Sequence, residues 1–223
     1  SDPRWMLWTW TRTHSSTFRI EILILLVLMQ NAVIPTILEE LRFLWILAAI
    51  VLLMIPYTVD ADQKNPELDQ LFLQLKHSTN PYQATSLEKR IWQIWMEHPL
   101  PAITTKLIKG TQAMQLQNYD EALKYFSELT RQVPQFAEGW NKRATVLFLM
   151  GRFHESSVDV ERTLQLEPRH FGALSGKGLI LMNLKDWSGA IEAFQQGLKI
   201  HPFMPSTKKH LKFVIEKHKE SII

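Results

Sequence analysis

Three consecutive stretches of equal length decide the fold. Residues 101–134 read PAITTKLIKGTQAMQLQNYDEALKYFSELTRQVP, residues 135–168 read QFAEGWNKRATVLFLMGRFHESSVDVERTLQLEP, and residues 169–202 read RHFGALSGKGLILMNLKDWSGAIEAFQQGLKIHP. Each stretch ends in proline, and four further columns recur once per stretch at the same position. These columns are two of small residues (Gly110, Ala144, Gly178; Ala122, Ser156, Ala190), one of aromatic residues (Tyr119, Phe153, Trp187) and one of large apolar residues (Phe126, Val160, Phe194). Such a period indicates stacked structural repeats.

The columns have a direct physical interpretation as pairs of antiparallel helices. Two helices can approach closely only where their side chains are small, so the two small-residue columns predict where the helices of one unit cross. The prolines lack an N–H and clash with a preceding helical turn, so they predict the end of each second helix. A single helix pair cannot bury its apolar face alone and must stack on its neighbours.

This pattern resembles the tetratricopeptide-repeat (TPR) family, over about Ile103 to Met204. Among its members, the chain is similar to exported or membrane-anchored bacterial TPR proteins. The resemblance implies an all-α solenoid with three clear 34-residue units across 103–204. It also implies a protein–protein interaction scaffold rather than an enzyme.

The flanking segments are predicted to complete the stack. Residues 62–102 are interpreted as a linker and a degenerate N-terminal helix pair, with Thr85 and Glu88 in a capping box. Residues 205–223 are predicted to form a C-terminal capping helix with Ser206 as its N-cap, because a solenoid needs a terminal helix with a polar outer side.

The aromatic pair Trp92 and Trp95 lies on the apolar side of the second flanking helix. We interpret this face as core, and docking to a partner helix is its functional alternative.

A hydrophobic region occupies residues 1–61. Residues 43–57 read FLWILAAIVLLMIPY without a charge, which is short for a membrane span but long for a secretory signal. Residues 43–59 are therefore predicted to be a signal anchor or a cleaved signal peptide, and both remain open. Arg42 before the segment and Asp60 after it favour a single crossing that exports the repeats. The expected location is the cell envelope, and the periplasm if the protein is bacterial.

Composition excludes several classes of function. The chain has no cysteine, so zinc ribbons, disulfide scaffolds and thiol nucleophiles are excluded. Residues 62–223 hold 21 Lys and Arg against 17 Asp and Glu, a balance too even for a nucleic-acid-binding face. Histidines such as His170 and His201 show no metal spacing and are interpreted as solvated turn residues. No metal, cofactor, catalytic residue or small-molecule substrate is predicted.

The resemblance places a ligand groove on the first helix of each unit. Its predicted lining from the three units is Thr111, Met114, Asn141, Lys142, Thr145, Phe148, Ser175, Leu179 and Met182. Within this set we expect Asn141 to bond a ligand backbone with both its donor and its acceptor, and Lys142 to meet an acidic group. Neither residue is expected to take part in core packing.

Some members of the family grip a partner's C-terminal carboxylate with a Lys/Asn/Arg clamp in this groove. Here Leu107, Thr111, Gly172 and Gly176 occupy most of those places, so binding of that kind is not expected. The predicted partner is a protein or peptide that the scaffold holds while an envelope-associated complex assembles. A permanent structural subunit of a membrane complex is the alternative, and an enzyme with an unrecognised site is a third and weaker interpretation.

Overall fold

The computed structural model describes residues 62–222, and the predicted hydrophobic region 1–61 lies outside them. The described residues form a 3₁₀ turn at Asp62–Lys64, nine α-helices and no strands. The helices are α1 (Glu67–His77), α2 (Pro81–Met96), α3 (Pro101–Gln115), α4 (Tyr119–Gln132), α5 (Ala137–Leu149), α6 (Phe153–Leu166), α7 (Phe171–Asn183), α8 (Trp187–Ile200) and α9 (Pro205–Ser221). The helix pairs α3–α4, α5–α6 and α7–α8 follow the three stretches of equal length.

The small-residue columns lie where the helices of each pair cross. A methyl group added at Gly110 would lie 2.6 Å from Cε1 of Phe126, and one added at Gly178 would overlap the ring of Phe194. Both phenylalanines are fully buried. Because real Cβ contacts are never so short, a side chain at either glycine would force the pair apart.

The middle unit uses a polar variant of the same crossing. Ala144 and Val160 share one buried cluster, as the spacing predicts. Ser156 stands where the other units have alanine, and its hydroxyl donates a 2.7 Å hydrogen bond to the carbonyl of Ala144. Because the hydroxyl is hydrogen-bonded, serine at this position leaves no buried polar group without a partner.

The turns within the units also repeat. Gln117, Gly151 and Lys185 occupy the same position in the three units, and their φ angles are positive at 59°, 75° and 61°. Each second helix then begins at an aromatic residue of the column, Tyr119, Phe153 or Trp187. Glycine is absent from two of the three left-handed positions, so composition alone does not reveal this turn.

The N-terminal hairpin, α1–α2, starts differently from the prediction. Asn80 caps α2, and its side chain accepts hydrogen bonds from the backbone N–H groups of Tyr82 and Gln83. Thr85 lies inside the helix and donates to the carbonyl of Pro81. The predicted capping box of Thr85 and Glu88 is therefore wrong, because Asn80 and the following proline already begin the helix one turn earlier.

The position of the hairpin is the main departure from the predicted stack. Its apolar side packs on Phe171 at the start of α7 and on Ile200, Phe203 and Met204 at the end of the third unit. Arg169, in the turn before α7, bonds Asp69 of α1 at 2.6 Å and lies over the ring of Phe72. A degenerate fourth unit would instead extend the stack ahead of α3, so that part of the predicted architecture is corrected.

The C-terminal helix α9 covers the last unit. Val214 is fully buried beside Ala190 and Phe194. The helix begins at Pro205 after Met204 and has no side-chain cap, so Ser206 does not play the predicted capping role. Between residues 62 and 222, no helix is both long and apolar enough to cross a bilayer.

Candidate functional site

The hairpin leaves part of the first-helix surface open as a cavity of about 390 Å³. We call it the inner cavity. Four elements supply most of its wall: α2, α5, α7 and the linker between α8 and α9. Its lining includes Glu88, Trp92, Asn141, Thr145, Phe148, Ser175, Gly176, Leu179, Phe203, Met204 and Thr207. Such a mixed apolar and polar lining is typical of ligand sites.

A buried polar cluster lies beside the inner cavity at the start of α5. Glu138 is 1% exposed, and its Oε2 accepts a 2.9 Å hydrogen bond from Nδ2 of Asn141. The same oxygen lies 3.2 Å from Nε2 of His170. Nζ of Lys142 lies 3.2 Å from Oε1 and 5.7 Å from the ring centre of Trp92. The cluster thus ties the second unit to the third and to the hairpin.

The charge of Glu138 is compensated within this cluster. Burial alone would raise its pKa, but the Lys142 ammonium, His170 and Asn141 together lower the pKa below its ordinary value. Glu138 is therefore an ionised carboxylate at neutral pH. The ammonium group of Lys142 is committed to it, so Lys142 does not meet a ligand carboxylate as the sequence analysis expected.

Asn141 is oriented by the same carboxylate. Glu138 can only accept, so the NH₂ group of Asn141 must face it. The Oδ1 atom accepts no hydrogen bond from residues 62–222 and is the group that Asn141 has left to offer a ligand. Two expectations are corrected: Asn141 is 7% exposed and takes part in buried packing, and its side chain offers an acceptor rather than both groups.

Two turn histidines are buried, which corrects their interpretation as solvated residues. His170 and His201 are fully buried. In His170, Nδ1 accepts from the backbone N–H of Ala173, and in His201 it accepts from that of Phe203. Each ring therefore carries its proton on Nε2, which donates to Glu138 and Glu88 respectively. The imidazole rings act as structural links between the turns and the hairpin.

Glu88 is the acidic group of the inner cavity. Its Oε2 accepts the 3.1 Å bond from His201, and its Oε1 lies 3.4 Å from the indole nitrogen of Trp92. The hydrogen bond from His201 is the main reason that the pKa of Glu88 is lower than usual. The carboxylate is 35% exposed and keeps lone pairs that neither of these two contacts uses.

Two glycines of α7 differ in what surrounds them. A methyl group on Gly172 would lie 2.8 Å from the ring of Trp92, so α2 fills that place. A methyl group on Gly176 would meet nothing within 4 Å, because this position opens into the inner cavity. At the residue before Gly176, the hydroxyls of Ser175 and Thr207 hydrogen-bond each other at 2.9 Å.

The predicted groove residues separate into two groups. Asn141, Thr145, Phe148, Ser175 and Leu179 line the inner cavity. Met114 packs beside the core of the first unit, Met182 packs near Phe194 and Val214, and the Thr111 hydroxyl is bonded to its own helix. Lys142 belongs to the Glu138 cluster. The inner cavity therefore brings together the predicted residues of the second and third units, and those of the first unit lie outside its wall.

The sequence analysis missed the cavity residues that come from outside the repeats. Glu88 and Trp92 belong to α2, whereas Phe203, Met204 and Thr207 follow the last repeat. None of them falls in the repeat columns, so the period contains no signal for them. In the described chain, no group of three His, Asp or Glu residues is placed to hold a metal ion.

The fold and the inner cavity define an α-helical solenoid with a ligand-sized depression on its first-helix side. Residues 109–156 and 150–205 match the model of the tetratricopeptide repeat. A TPR repeat-containing protein of Rhizobium etli is 35% identical over 150 residues, which span 67% of this chain and 74% of that protein. The chain belongs to the tetratricopeptide-repeat family.

Solved TPR domains share the fold. The Sgt2 TPR domain from Aspergillus fumigatus matches with a TM-score of 0.52 at 21% identity, covering 55% of this chain and 82% of that one. The first TPR domain of Spaghetti (RPAP3), solved with the HSP90 peptide SRMEEVD, matches with a TM-score of 0.51 at 18% identity. That match covers 52% of this chain and 93% of the RPAP3 domain.

Proposed function

We propose that this protein is an interaction scaffold that holds a short segment of a protein partner in the inner cavity. The observation that carries the proposal is the cavity itself, which keeps open acceptors at Asn141 and Glu88 beside the apolar side chains of Phe148 and Leu179. A peptide backbone presents N–H donors to such acceptors, and its side chains can fill apolar space. The peptide held by the RPAP3 domain supports a peptide as the class of ligand.

The size of the cavity limits what it can hold. The hairpin covers the beginning of α7, where Trp92 occupies the space above Gly172. About 390 Å³ remains, which is room for a few side chains rather than for a long extended segment. We therefore expect a short anchor segment on a larger partner.

Gly176→Leu tests this proposal because it fills the cavity without touching the core. A photo-crosslinking amino acid is placed at Thr145, which is exposed and lines the cavity, and in a parallel sample at Val158, which is 67% exposed and lies outside it. We expect a partner adduct from position 145 and not from position 158. Gly176→Leu should abolish the adduct, whereas Lys209→Ala on the surface of α9 should leave it at the wild-type yield.

The melting temperature separates loss of binding from loss of fold. Leucine in place of glycine favours a helix by about 0.8 kcal/mol, so Gly176→Leu should melt at or above the wild-type temperature. An adduct that persists unchanged in Gly176→Leu would show that the partner lies elsewhere, as for a subunit that is built permanently into a complex.

We further propose that residues 43–59 attach or direct the scaffold to the cell envelope, where it supports the assembly of a complex. The proposal is supported by the uncharged run 43–57 and by Arg42 and Asp60 on its two sides. A reporter that is active only after export, fused behind Ile223, should be active. Activity of a cytoplasmic reporter alone would contradict the single crossing.

A further inference from the structure

The inner cavity is unusual in the charges that line it. Among the described residues of its wall, Glu88 is the single charged side chain. The other polar groups are the Oδ1 atom of Asn141, the indole N–H of Trp92, which donates to Glu88, and the hydroxyls of Thr145, Ser156, Ser175, Ser206 and Thr207. The wall therefore offers more acceptors than free donors, because the Thr145 and Ser156 hydroxyls already donate to carbonyls of α5 and one hydroxyl of the Ser175–Thr207 pair donates to the other.

The nearby cations do not reverse this balance. Lys142 is paired with Glu138, and Lys177 lies 2.6 Å from Glu161. Lys208 lies over the ring of Phe203, 5.6 Å from its centre, and is outside the cavity wall. A ligand inside the cavity consequently faces the carboxylate of Glu88 without a basic residue of the wall beside it.

We infer that the inner cavity selects a partner segment with a basic side chain, Lys or Arg, next to an apolar one. This inference rests on the proposed function and specifies its ligand. The ammonium or guanidinium group donates to the open acceptors of the wall, with Glu88 supplying the charge. The exposed part of the Trp92 ring offers a favourable neighbour for such a cation. The apolar neighbour contacts Phe148, Leu179 and Met204.

An acidic segment fits this wall poorly. It would bring a carboxylate close to Glu88, and like charges repel. Lys142, the residue from which a carboxylate partner was expected, is already used by Glu138. A segment whose only charged side chain is Glu is therefore predicted to bind more weakly in the inner cavity than the same segment with Arg at that position.

Three labelled peptides test the preference directly: GSLRLSG, GSLQLSG and GSLELSG. Their affinities for the full chain, purified in detergent, are measured by fluorescence anisotropy at low and at moderate salt. We expect GSLRLSG to bind at least about tenfold more tightly than GSLELSG, with GSLQLSG between them. Added salt should reduce the difference, because it screens the partly exposed Glu88.

Glu88→Gln is the decisive variant, since glutamine keeps an acceptor for His201 and removes the charge. It should reduce the preference for GSLRLSG over GSLELSG to less than about threefold. Glu192→Gln, an exposed change on α8, is the matched control and should leave the preference intact. Gly176→Leu should abolish the binding of all peptides.

The outcomes distinguish the two proposals. If the Arg and Glu peptides bind equally and Gly176→Leu abolishes both, the cavity binds peptides and the basic preference is overturned. Tighter binding of GSLELSG than of GSLRLSG overturns the preference in the same way. If no peptide binds while the Thr145 adduct persists, the inferred ligand class is wrong and the scaffold proposal stands. If neither peptide binding nor the Thr145 adduct is observed, both the scaffold proposal and the basic preference are overturned.

Discussion

In the repeat stack, helices meet through small residues at a fixed spacing, whereas the N-terminal hairpin is attached through aromatic rings, the His201–Glu88 hydrogen bond and the Arg169–Asp69 ion pair, which follow no period. Gly178 lets Phe194 lie against its backbone. Trp95, by contrast, stacks on His170 with ring centres 4.0 Å apart and planes 9° from parallel. The three units of the stack repeat one type of helix crossing. The contacts that attach the hairpin follow no such repeat.

This difference explains where the inner cavity lies. Repeated contacts between adjacent units produce a regular first-helix surface. Such a surface does not by itself distinguish one position as a cavity. The hairpin covers one part of that surface and leaves another part open, which gives the cavity its Glu88 and Trp92 wall. The irregular region thus determines ligand access, and the regular region provides the support.

The largest effect is expected from Trp95→Ala. Trp95 is 1% exposed and contacts Phe72, Trp92, His170 and Phe171 through their rings. Removing it should lower the free energy of unfolding by about 3–5 kcal/mol, because a large cavity replaces the indole. Urea denaturation should show the loss. Tyr82→Ala, at an 89% exposed position of the same helix, is the control and should stay within about 0.5 kcal/mol. Equal midpoints would mean that the hairpin is not attached through Trp95.

A somewhat smaller effect is expected from Gly178→Leu in the stack. The added side chain overlaps Phe194, and overpacking of this kind costs about 1–3 kcal/mol or more. Gly176→Leu, slightly earlier on the same helix, meets open space and is the matched control. Thermal unfolding followed by circular dichroism should separate the two variants. Identical curves would contradict the assignment of α7 to a close crossing with α8.

The smallest effect concerns the junction between stack and hairpin. Asn141→Ala removes one of the hydrogen bonds to the buried carboxylate of Glu138, so we expect a loss of about 1–3 kcal/mol. Thr145→Ala, one turn later and exposed, should change stability by no more than about 0.5 kcal/mol. From the sequence, Asn141 was expected to take no part in core packing, and its loss would then leave the melting temperature unchanged. An unchanged midpoint would restore that expectation and show that the Glu138 cluster contributes little.

The repeats could be predicted in detail because their contacts are local and periodic. Gly110 and Phe126 belong to one stretch, as Gly178 and Phe194 belong to another, so a single unit of sequence contains both partners of the crossing. The aromatic column marked the first residue of each second helix. The shared cluster of Ala144 and Val160 could be predicted for the same reason. The hydrogen bond from the Ser156 hydroxyl to the Ala144 carbonyl could not be predicted from the column.

The candidate site could be predicted only in part. Thr145, Phe148, Ser175 and Leu179 were predicted to line a groove, and they line the inner cavity. The expected chemistry of Lys142 was wrong, because its partner Glu138 and the ring of Trp92 were not recognised as neighbours. A lysine at a groove position indicates a free cation only if no carboxylate one turn earlier forms an ion pair with it. Whether such a pair forms depends on how deeply the carboxylate is buried.

By itself, the sequence determined the helix pairs, their period and the residues at each crossing, since a repeat of this kind places the partners within one unit of chain. The tertiary structure decided where the hairpin lies, because Glu88 meets His201 across 113 residues and Asp69 meets Arg169 across 100. Such contacts join an irregular segment to the turns of a regular one, and no periodicity relates the two. The same packing buried Glu138 with Asn141 and Lys142 and left Glu88 as the charge of the cavity.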